Sequence, residues 1–176
     1  MQKEYLNWVL DDDWTWINII GFSGSILGVL AVSAMVQYKQ NKSIFDFIAY
    51  GCSVIGIGFL TSILFFESFI LKSIARTNPE LINFNTGFYT EPIFNQANLM
   101  GGMFFSIGMI GLAILMIADK TFKTWKLVLL MIGAPLFGIM LMPGNVRIVG
   151  VLLYSVAFIG IGIEMVKTKC IENNNQ

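Results

Sequence analysis

Polar side chains cluster where a long apolar segment begins. Asn95, Gln96 and Asn98 immediately precede residues 99–118, which carry no charge. Glu91 lies four residues before Asn95 and Asn98 lies three after it, so these three side chains share one helix face. Amide and carboxylate groups at the entrance of a membrane helix either bind a polar ligand or satisfy interhelical and loop hydrogen bonds. Both interpretations stay open, and the first predicts a polar mouth.

Two further ionisable residues bracket the last apolar segment. Arg147 stands at its start, where a headgroup phosphate or the Glu91 carboxylate would satisfy the guanidinium. Arg147 is then either an anchor at the interface or, since it should lie at a depth similar to that of the amides, a member of the predicted mouth. Glu164 stands near the end of the segment, where it either reaches the aqueous interface or pairs with Lys167 one helical turn later. We expect Glu164 to be an interface residue.

The sequence lacks a recognisable catalytic pattern. It contains no nucleophile–base pair, acidic dyad, glycine-rich phosphate loop or HExxH-like spacing. It also has no histidine, the usual ligand of haem, copper and catalytic zinc in membrane proteins. The ten methionines are dispersed through apolar segments, which is typical of packing rather than of copper binding. We therefore expect a protein that is not an enzyme and binds neither a metal nor another cofactor.

The composition identifies the bilayer as the main solvent of the chain. Of its 176 residues, 56% are hydrophobic and 12% are charged. The formal net charge is zero, and no basic block is long enough to follow a phosphate backbone. The expected partners are a lipid bilayer and other membrane helices, in a homo- or hetero-oligomer, and not nucleic acid.

Five apolar segments are each long enough to cross a bilayer, because about 20 helical residues span its hydrocarbon core of about 30 Å. They are residues 14–36, 47–66, 99–118, 125–142 and 147–166. The remaining segments are an interfacial stretch at 1–13, a long loop at 67–98 and a polar tail at 167–176. The prediction is an all-α, polytopic integral membrane bundle with five transmembrane helices.

Capping and helix-breaking residues mark several boundaries of these helices. The aspartates at 11–13 are expected to cap the first span. Thr90 is expected to cap the third span, with Pro92 in its first turn, where a missing N–H costs little. Pro135 lies inside the fourth span, where it removes a backbone hydrogen bond and predicts a kink that acts as a hinge.

Small residues recur at four-residue spacing in the first two spans. Such spacing lets two helix backbones approach closely where lipid removes the hydrophobic drive for association. The residues predicted to pack in this way are Gly21, Gly24, Ser25, Gly28, Cys52 and Gly56. The partner of the first span is either another span of the same chain or a second subunit, and the motif alone leaves both open.

Lysine and arginine are concentrated in alternate connections. Residues 37–46, 119–126 and 167–176 carry them at high density, whereas 67–98 carries few for its length. Concentrated positive charge marks the cytoplasmic side of a membrane protein. The predicted orientation has the N-terminus outside, the C-terminus in the cytoplasm of a multi-pass cell-membrane protein, and Glu164 at the cytoplasmic interface.

Two short motifs resemble an uncharacterised membrane family. One is the sequence Pro-Ile-Phe-Asn-Gln-Ala-Asn-Leu-Met-Gly-Gly at 92–102, which precedes an apolar span, and the other is Gly-Ile-Met-Leu-Met-Pro at 138–143. They are similar to the Phe-Asn-then-Gly helix entrance and the Gly-x-x-Pro turn of the family called domain of unknown function nine-nine-eight. The resemblance implies a multi-span fold and no particular activity.

Two classes of function follow from these features. The first is a non-enzymatic accessory or structural component that packs with other membrane helices. The second is a small transporter or channel with an outward-facing polar mouth. We favour the first, because transport of charged solutes usually needs charge within the membrane and the spans show almost none.

Overall fold

A computed structural model describes residues 2–83, 87, 90–139 and 144–174, and all regular structure in this part of the chain is helical. A π-helical turn at Phe66–Ile70 connects two of the helices, and a 3₁₀ turn lies at Pro79–Ile82. In chain order the helices are α1 (Gln2–Leu10), α2 (Asp12–Tyr38), α3 (Ile44–Phe65), α4 (Leu71–Thr77), α5 (Pro92–Ala118), α6 (Thr124–Gly138) and α7 (Gly144–Asn174).

Four helical stretches among the described residues are long and apolar enough to cross a membrane: Asp12–Tyr38, Ile44–Thr77, Pro92–Ala118 and Asn145–Lys167. The predicted all-α membrane architecture is thus confirmed for four of the five segments. The fifth, α6, is also apolar, but it has 15 residues and ends at Gly138. Residues 140–143, which the predicted fourth span included, lie outside the described residues.

Contacts between helix ends show that successive helices run in opposite directions. Lys39, just after α2, pairs with Asp46 in the first turn of α3 and with Asp119 at the end of α5. Lys126, in the first turn of α6, pairs with Glu164 near the end of the apolar part of α7. We call this side of the bundle the Asp119 end.

The opposite side, which we call the Asp12 end, contains the start of α2 and the segment that follows α3. Asp12 and Lys72 form an ion pair there, with a distance of 2.6 Å between Asp12 Oδ1 and Lys72 Nζ. The starts of α5 and α7 lie on this side too, because both helices run from it toward the Asp119 end.

Helix α5 is the centre of the bundle. In an apolar stretch of 18 residues of α5, 50% of the residues are buried, compared with 17% in the corresponding stretches of α2 and α7. The fully buried Phe105, Met109, Leu112 and Met116 recur at helical spacing and form a stripe in the core. Helix α5 packs against α3 on one side and α6 on the other, while α2 packs on α3 and α7 on α6. The outer two helices, α2 and α7, touch each other only lightly.

Close backbone approach defines both faces of α5. A Cβ added to Gly56 of α3 would lie 2.2 Å from the backbone nitrogen of Phe105, and one added to Gly102 would lie 2.2 Å from the carbonyl oxygen of Gly138. Neither position has room for a side chain. Glycine therefore permits α3 and α6 to pack backbone to backbone against α5.

The short helix α1 covers the Asp12 end. Val9 is fully buried together with Leu71, Ala75 and Ile82, whereas Trp8 is 64% exposed. This division of apolar side chains matches an amphipathic helix that lies on the bundle with tryptophan facing outward.

The observed helix starts confirm two of the predicted capping positions and contradict a third. Asp11 is the N-cap of α2 and accepts a backbone hydrogen bond, and Pro92 occupies the first turn of α5, both as predicted. The prediction that Thr90 caps α5 is wrong, since the N-cap is Glu91. The Thr90 hydroxyl instead donates to the carbonyl of Gly87 at 2.8 Å, which closes the preceding turn.

Two helices are longer than the predicted spans. The stretch that begins with α3 continues through the π-helical turn to Thr77, well beyond residue 66, and α7 continues to Asn174, into the segment predicted as a tail. Neither extension contains glycine or proline. Each added residue therefore gains a backbone hydrogen bond without a new nucleation cost.

Candidate functional site

Lys39 joins three segments at the Asp119 end. Its Nζ atom lies 2.6 Å from Oδ1 of Asp46 and 2.7 Å from Oδ2 of Asp119. The side chain of Lys39 is 4% exposed and Asp46 is buried, whereas Asp119 is 38% exposed. An unpaired charge at such a position would be very costly, so the two charge-assisted contacts allow Lys39 to lie inside. We call these three residues the Lys39 cluster.

Local sequence signals hold both carboxylates in place. Ser43 precedes α3, and its backbone N–H and hydroxyl donate to Asp46 Oδ2 at 2.7 and 2.8 Å, which forms a capping box. Helix α5 ends with Lys120 in a left-handed conformation, at φ 53°, and with the backbone hydrogen bonds of a Schellman motif. This turn leaves Asp119 at the helix end, beside Lys39.

The two carboxylates also determine the charge state of the lysine. Burial by itself lowers the pKa of Lys39, but its hydrogen bonds to Asp119 and Asp46 outweigh burial and raise the pKa above the ordinary 10.5. Lys39 is therefore charged at neutral pH. The Lys39 cluster carries one positive and two negative charges, and the excess negative charge lies on the side of the partly exposed Asp119.

A second lysine connects α6 to α7 at the same end. Lys126 is 7% exposed, and its Nζ lies 2.6 Å from Glu164 Oε2 and also donates to the carbonyl of Gly160. Its ammonium group is 5.7 Å from the centre of the Trp125 ring. Glu164, predicted as an interface residue, is thus half-buried in an ion pair with a neighbouring helix. These contacts give the Asp119 end a second interhelical link beside the Lys39 cluster.

Two half-buried residues of opposite charge lie at the Asp12 end on different helices. Glu67 is in the π-helical turn after α3, and Arg147 is in the first turn of α7. Arg147 is also half-buried, and its Nε atom is inaccessible to solvent and has no hydrogen-bond partner among the described residues.

The predicted mouth residues occupy the starts of two helices at the Asp12 end. Three of them, Glu91 at the N-cap of α5 and Asn95 and Gln96 in its first turns, are exposed. Asn98 on the same helix is half-buried, and Arg147 lies in the first turn of α7. No ion pair joins Arg147 to the predicted Glu91 in the described part of the chain. That the amides and Arg147 form one mouth stays a prediction.

The small residues predicted for helix packing have different surroundings. Gly56 makes the closest approach, to α5, and Cys52 on the same helix is half-buried with a free thiol. On α2, a Cβ at Gly21 would lie 3.3 Å from a Leu64 side-chain atom, and one at Gly28 would be 3.9 Å from Ile57. The predicted tight backbone contact along α2 is therefore not made within the described part of the chain.

The two other residues of α2 that were predicted to pack closely, Gly24 and Ser25, differ in their contacts. Ser25 accepts a hydrogen bond from Thr61 of α3 at 2.8 Å, which is an interhelical polar contact. Gly24 is exposed, and a Cβ there would meet nothing within 4 Å. Pro135, the predicted hinge, lies inside α6 three residues before its end.

Comparison of this chain with models of known protein families, with curated proteins and with solved structures finds no match. The resemblance to the family called domain of unknown function nine-nine-eight stays a prediction.

Sequence reasoning missed Glu67 and Lys39 as site residues. The predicted second span ends at residue 66, directly before Glu67, although apolar residues continue from Ser68 to Leu71 beyond it. A carboxylate flanked by apolar residues on both sides is a signal that could have identified it as an intramembrane charge. Lys39 contributes to the predicted orientation as one of the positive charges in residues 37–46, and no local pattern around it indicates Asp119, 80 residues later, as its partner.

Proposed function

We propose that this chain is a non-enzymatic component of a membrane assembly, in which α2 packs against a helix of another subunit. The observation that carries this proposal is the outward face of α2, where the small-residue motif is left open. Gly24 is exposed, and a Cβ added there would meet nothing within 4 Å. Helix association in lipid depends on such small residues, because they let a second backbone approach closely.

Apolar side chains surround this glycine on the same helix. They are large and mostly exposed, namely Ile17, Ile20, Leu27 and Leu30. Lipid alone would accommodate these residues, but it gives no reason for a glycine among them, since glycine weakens a helix relative to alanine. A neighbouring transmembrane helix provides that reason.

We further propose five crossings, with the Asp119 end in the cytoplasm. The exposed Lys42, Lys120 and Lys123 lie at the Asp119 end, and positive charge favours the cytoplasmic side. Helix α6 starts at this end beside Glu164 and reaches Gly102 of α5 with its last residue. Its 15 residues cover about 22 Å, so α6 and the residues that follow it are the segment available for the fifth crossing.

Thiol labelling tests both the orientation and the fifth crossing. Single cysteines at the exposed positions Lys123, Asn145 and Arg76 would be treated with a membrane-impermeant reagent. We expect Arg76→Cys and Asn145→Cys to react in intact cells and Lys123→Cys to react only after lysis. Equal reactivity of Lys123→Cys and Asn145→Cys in intact cells would contradict the fifth crossing. The unsubstituted chain measures background from its native cysteines.

The accessory role is tested by purification in mild detergent, with measurement of the particle mass and mass-spectrometric identification of every chain in it. A different chain in fixed stoichiometry would support the proposal. A monomer or a homo-oligomer alone would overturn the accessory role.

Gly24→Leu should release the partner subunit. Overpacking at a close helix contact costs about 1–3 kcal/mol, so we expect the amount of co-purified partner to fall by about tenfold. Gly58→Leu is the matched control, because a Cβ at Gly58 of α3 also meets nothing within 4 Å. If both variants retain the partner equally, the Gly24 face is not the contact.

A small transporter is the second candidate function. It is favoured by two charged residues, Glu67 and Arg147, that are half-buried in the bundle. Ionisable side chains inside a helical bundle commonly mark a solute pathway. Recovery of a homo-oligomer in the purification, together with binding of a small water-soluble molecule at these two residues, would make this the better candidate.

A further inference from the structure

The α2–α3 turn and the α5–α6 turn are joined side by side at the Asp119 end. Lys39 of the first turn contacts Asp119 of the second, with 2.7 Å between Nζ and Oδ2. The rings of Tyr38 and Phe122 are stacked, with centres 5.1 Å apart and an angle of 17° between their planes. Phe122 is 4% exposed and belongs to the core, so it anchors the α5–α6 turn. The exposed residues of both turns therefore share one surface.

Three lysines on this surface have a positive charge that no described residue compensates. Each lies within three residues of a contact that joins the two turns, and they are Lys42, Lys120 and Lys123. All three are exposed, and none forms an ion pair with another described residue. We call these three residues the lysine surface.

The acidic side chains at the Asp119 end already have buried lysine partners. Asp46 and Asp119 contact Lys39, and Glu164 contacts Lys126. Among the described side chains at this end, six lysines outnumber three acids, namely Lys39, Lys42, Lys120, Lys123, Lys126 and Lys167 against Asp46, Asp119 and Glu164. Because two of the lysines are buried with the acids, the excess positive charge lies on the exposed lysines.

The Asp12 end has the opposite balance of charge. Among the described side chains there, six acids outnumber three bases, namely Asp11, Asp12, Asp13, Glu67, Glu80 and Glu91 against Lys72, Arg76 and Arg147. The two ends of the bundle therefore differ in sign. An anion at the bilayer surface is attracted to the Asp119 end and repelled from the Asp12 end.

Aromatic side chains beside the lysine surface indicate its depth in the bilayer. Phe45, three residues after Lys42, is 64% exposed, and Trp125, two residues after Lys123, is 53% exposed. Tryptophan favours the boundary between hydrocarbon and headgroups, and an exposed phenylalanine is better placed in lipid than in water. Lysine has a flexible apolar stem, which lets its ammonium group reach the headgroups from this level. The lysine surface therefore lies at the level of the lipid phosphates.

We propose that the lysine surface binds anionic phospholipid, whose phosphate diester accepts hydrogen bonds from the ammonium groups. A glycerol headgroup leaves the phosphate charge uncompensated, whereas a choline headgroup adds a cation that the lysines repel. Lysine binds phosphate as a point charge, without the fixed fork of arginine, so the surface recognises charge rather than one headgroup shape. An acidic protein segment would leave Phe45 and Trp125 in water, and these residues therefore favour lipid. The proposal is independent of the accessory role and holds in either orientation.

Native mass spectrometry of the full chain in mild detergent tests the proposal. The probes are phosphatidylglycerol and phosphatidylcholine with the same acyl chains. One lysine near an anionic membrane surface strengthens binding by about fivefold, so three lysines predict a preference of at least about tenfold for phosphatidylglycerol. Equal binding of the two lipids would overturn the proposal and leave an acidic protein segment as the alternative occupant.

Substitutions locate the preference on the lysine surface. We expect the combination of Lys42→Gln, Lys120→Gln and Lys123→Gln to remove it, and arginine at the same three positions to retain it, because arginine keeps the charge. Lys123→Gln alone should weaken binding of phosphatidylglycerol by about fivefold. Its matched control is Arg76→Gln, which removes one positive charge from an exposed position at the Asp12 end and should leave binding unchanged.

A further variant separates the lysine surface from the net charge of the chain. Asp13→Asn, Glu80→Gln and Glu91→Gln remove three exposed negative charges at the Asp12 end, so adding them to the three glutamine substitutions restores neutrality. We expect the preference for phosphatidylglycerol to stay lost. Its recovery would overturn the proposal, as would an unchanged preference after the three glutamine substitutions. If the combined variant is not recovered, the single substitutions replace it, and unchanged binding by all three would contradict the proposal.

Discussion

Replacement of Lys39 by methionine is expected to lower the free energy of unfolding by about 3–5 kcal/mol, the usual effect of removing one partner from a buried ion pair. Methionine retains an unbranched chain of similar length and removes the ammonium. Asp46 would stay buried with only its Ser43 contacts, and Asp119 would lose its link to the α2–α3 turn. Thermal unfolding in mild detergent measures the loss.

The matched control for this change is Lys42→Met. Lys42 lies in the same connection but is exposed, and exposed charges contribute little to stability. We therefore expect a change within about 0.5 kcal/mol. Similar destabilisation by both substitutions would show that the loss comes from the turn itself rather than from the Lys39 cluster.

The same cluster predicts a dependence on alkaline pH. Because hydrogen bonds to Asp119 and Asp46 raise the pKa of Lys39 in the folded protein, its stabilising effect is fully present below the unfolded value of 10.5. The effect is lost as pH rises through the higher folded pKa. Between neutral pH and pH 10.5 we expect the stability difference between the unsubstituted chain and Lys39→Met to stay constant, and above pH 10.5 we expect it to shrink. A difference that already shrinks between neutral pH and pH 10.5 would contradict the raised pKa of Lys39.

Gly56→Ala is expected to destabilise the bundle by about 3 kcal/mol, at the upper end of the usual cost of overpacking. The added Cβ would lie 2.2 Å from the backbone nitrogen of Phe105 and 2.4 Å from its Cα. A side chain could rotate away from such a contact, but backbone atoms of a helix cannot. Helices α3 and α5 must therefore separate, which loosens the packing around the buried face of α5.

Gly58→Ala distinguishes this steric effect from helix propensity. Gly58 is two residues away on the same helix, and a Cβ there meets nothing within 4 Å. Alanine should leave the stability unchanged or raise it by up to about 1 kcal/mol, because glycine is the weaker helix former. Equal stability of Gly56→Ala and Gly58→Ala in thermal unfolding would refute the close contact between α3 and α5.

Periodicity alone could not distinguish the packed glycines from the open ones. The sequence places Gly24 and Gly28 in the best-known packing motif, yet α2 meets α3 through side chains at that level. The motif describes a helix surface that is able to pack closely. Which surface does so depends on the choice of neighbour, and this choice is made by all helices together.

The apolar lengths, the helix-capping residues and the scarcity of charge determined from sequence alone that this is an all-helical membrane protein. These properties are local, since a backbone in lipid must satisfy its own hydrogen bonds and about 20 apolar residues suffice to cross. Only the tertiary structure decided that Lys39 meets Asp119 and that Lys126 meets Glu164. Such pairs lie far apart in the chain and meet only because of the order in which α2, α3, α5, α6 and α7 pack, which no local pattern encodes.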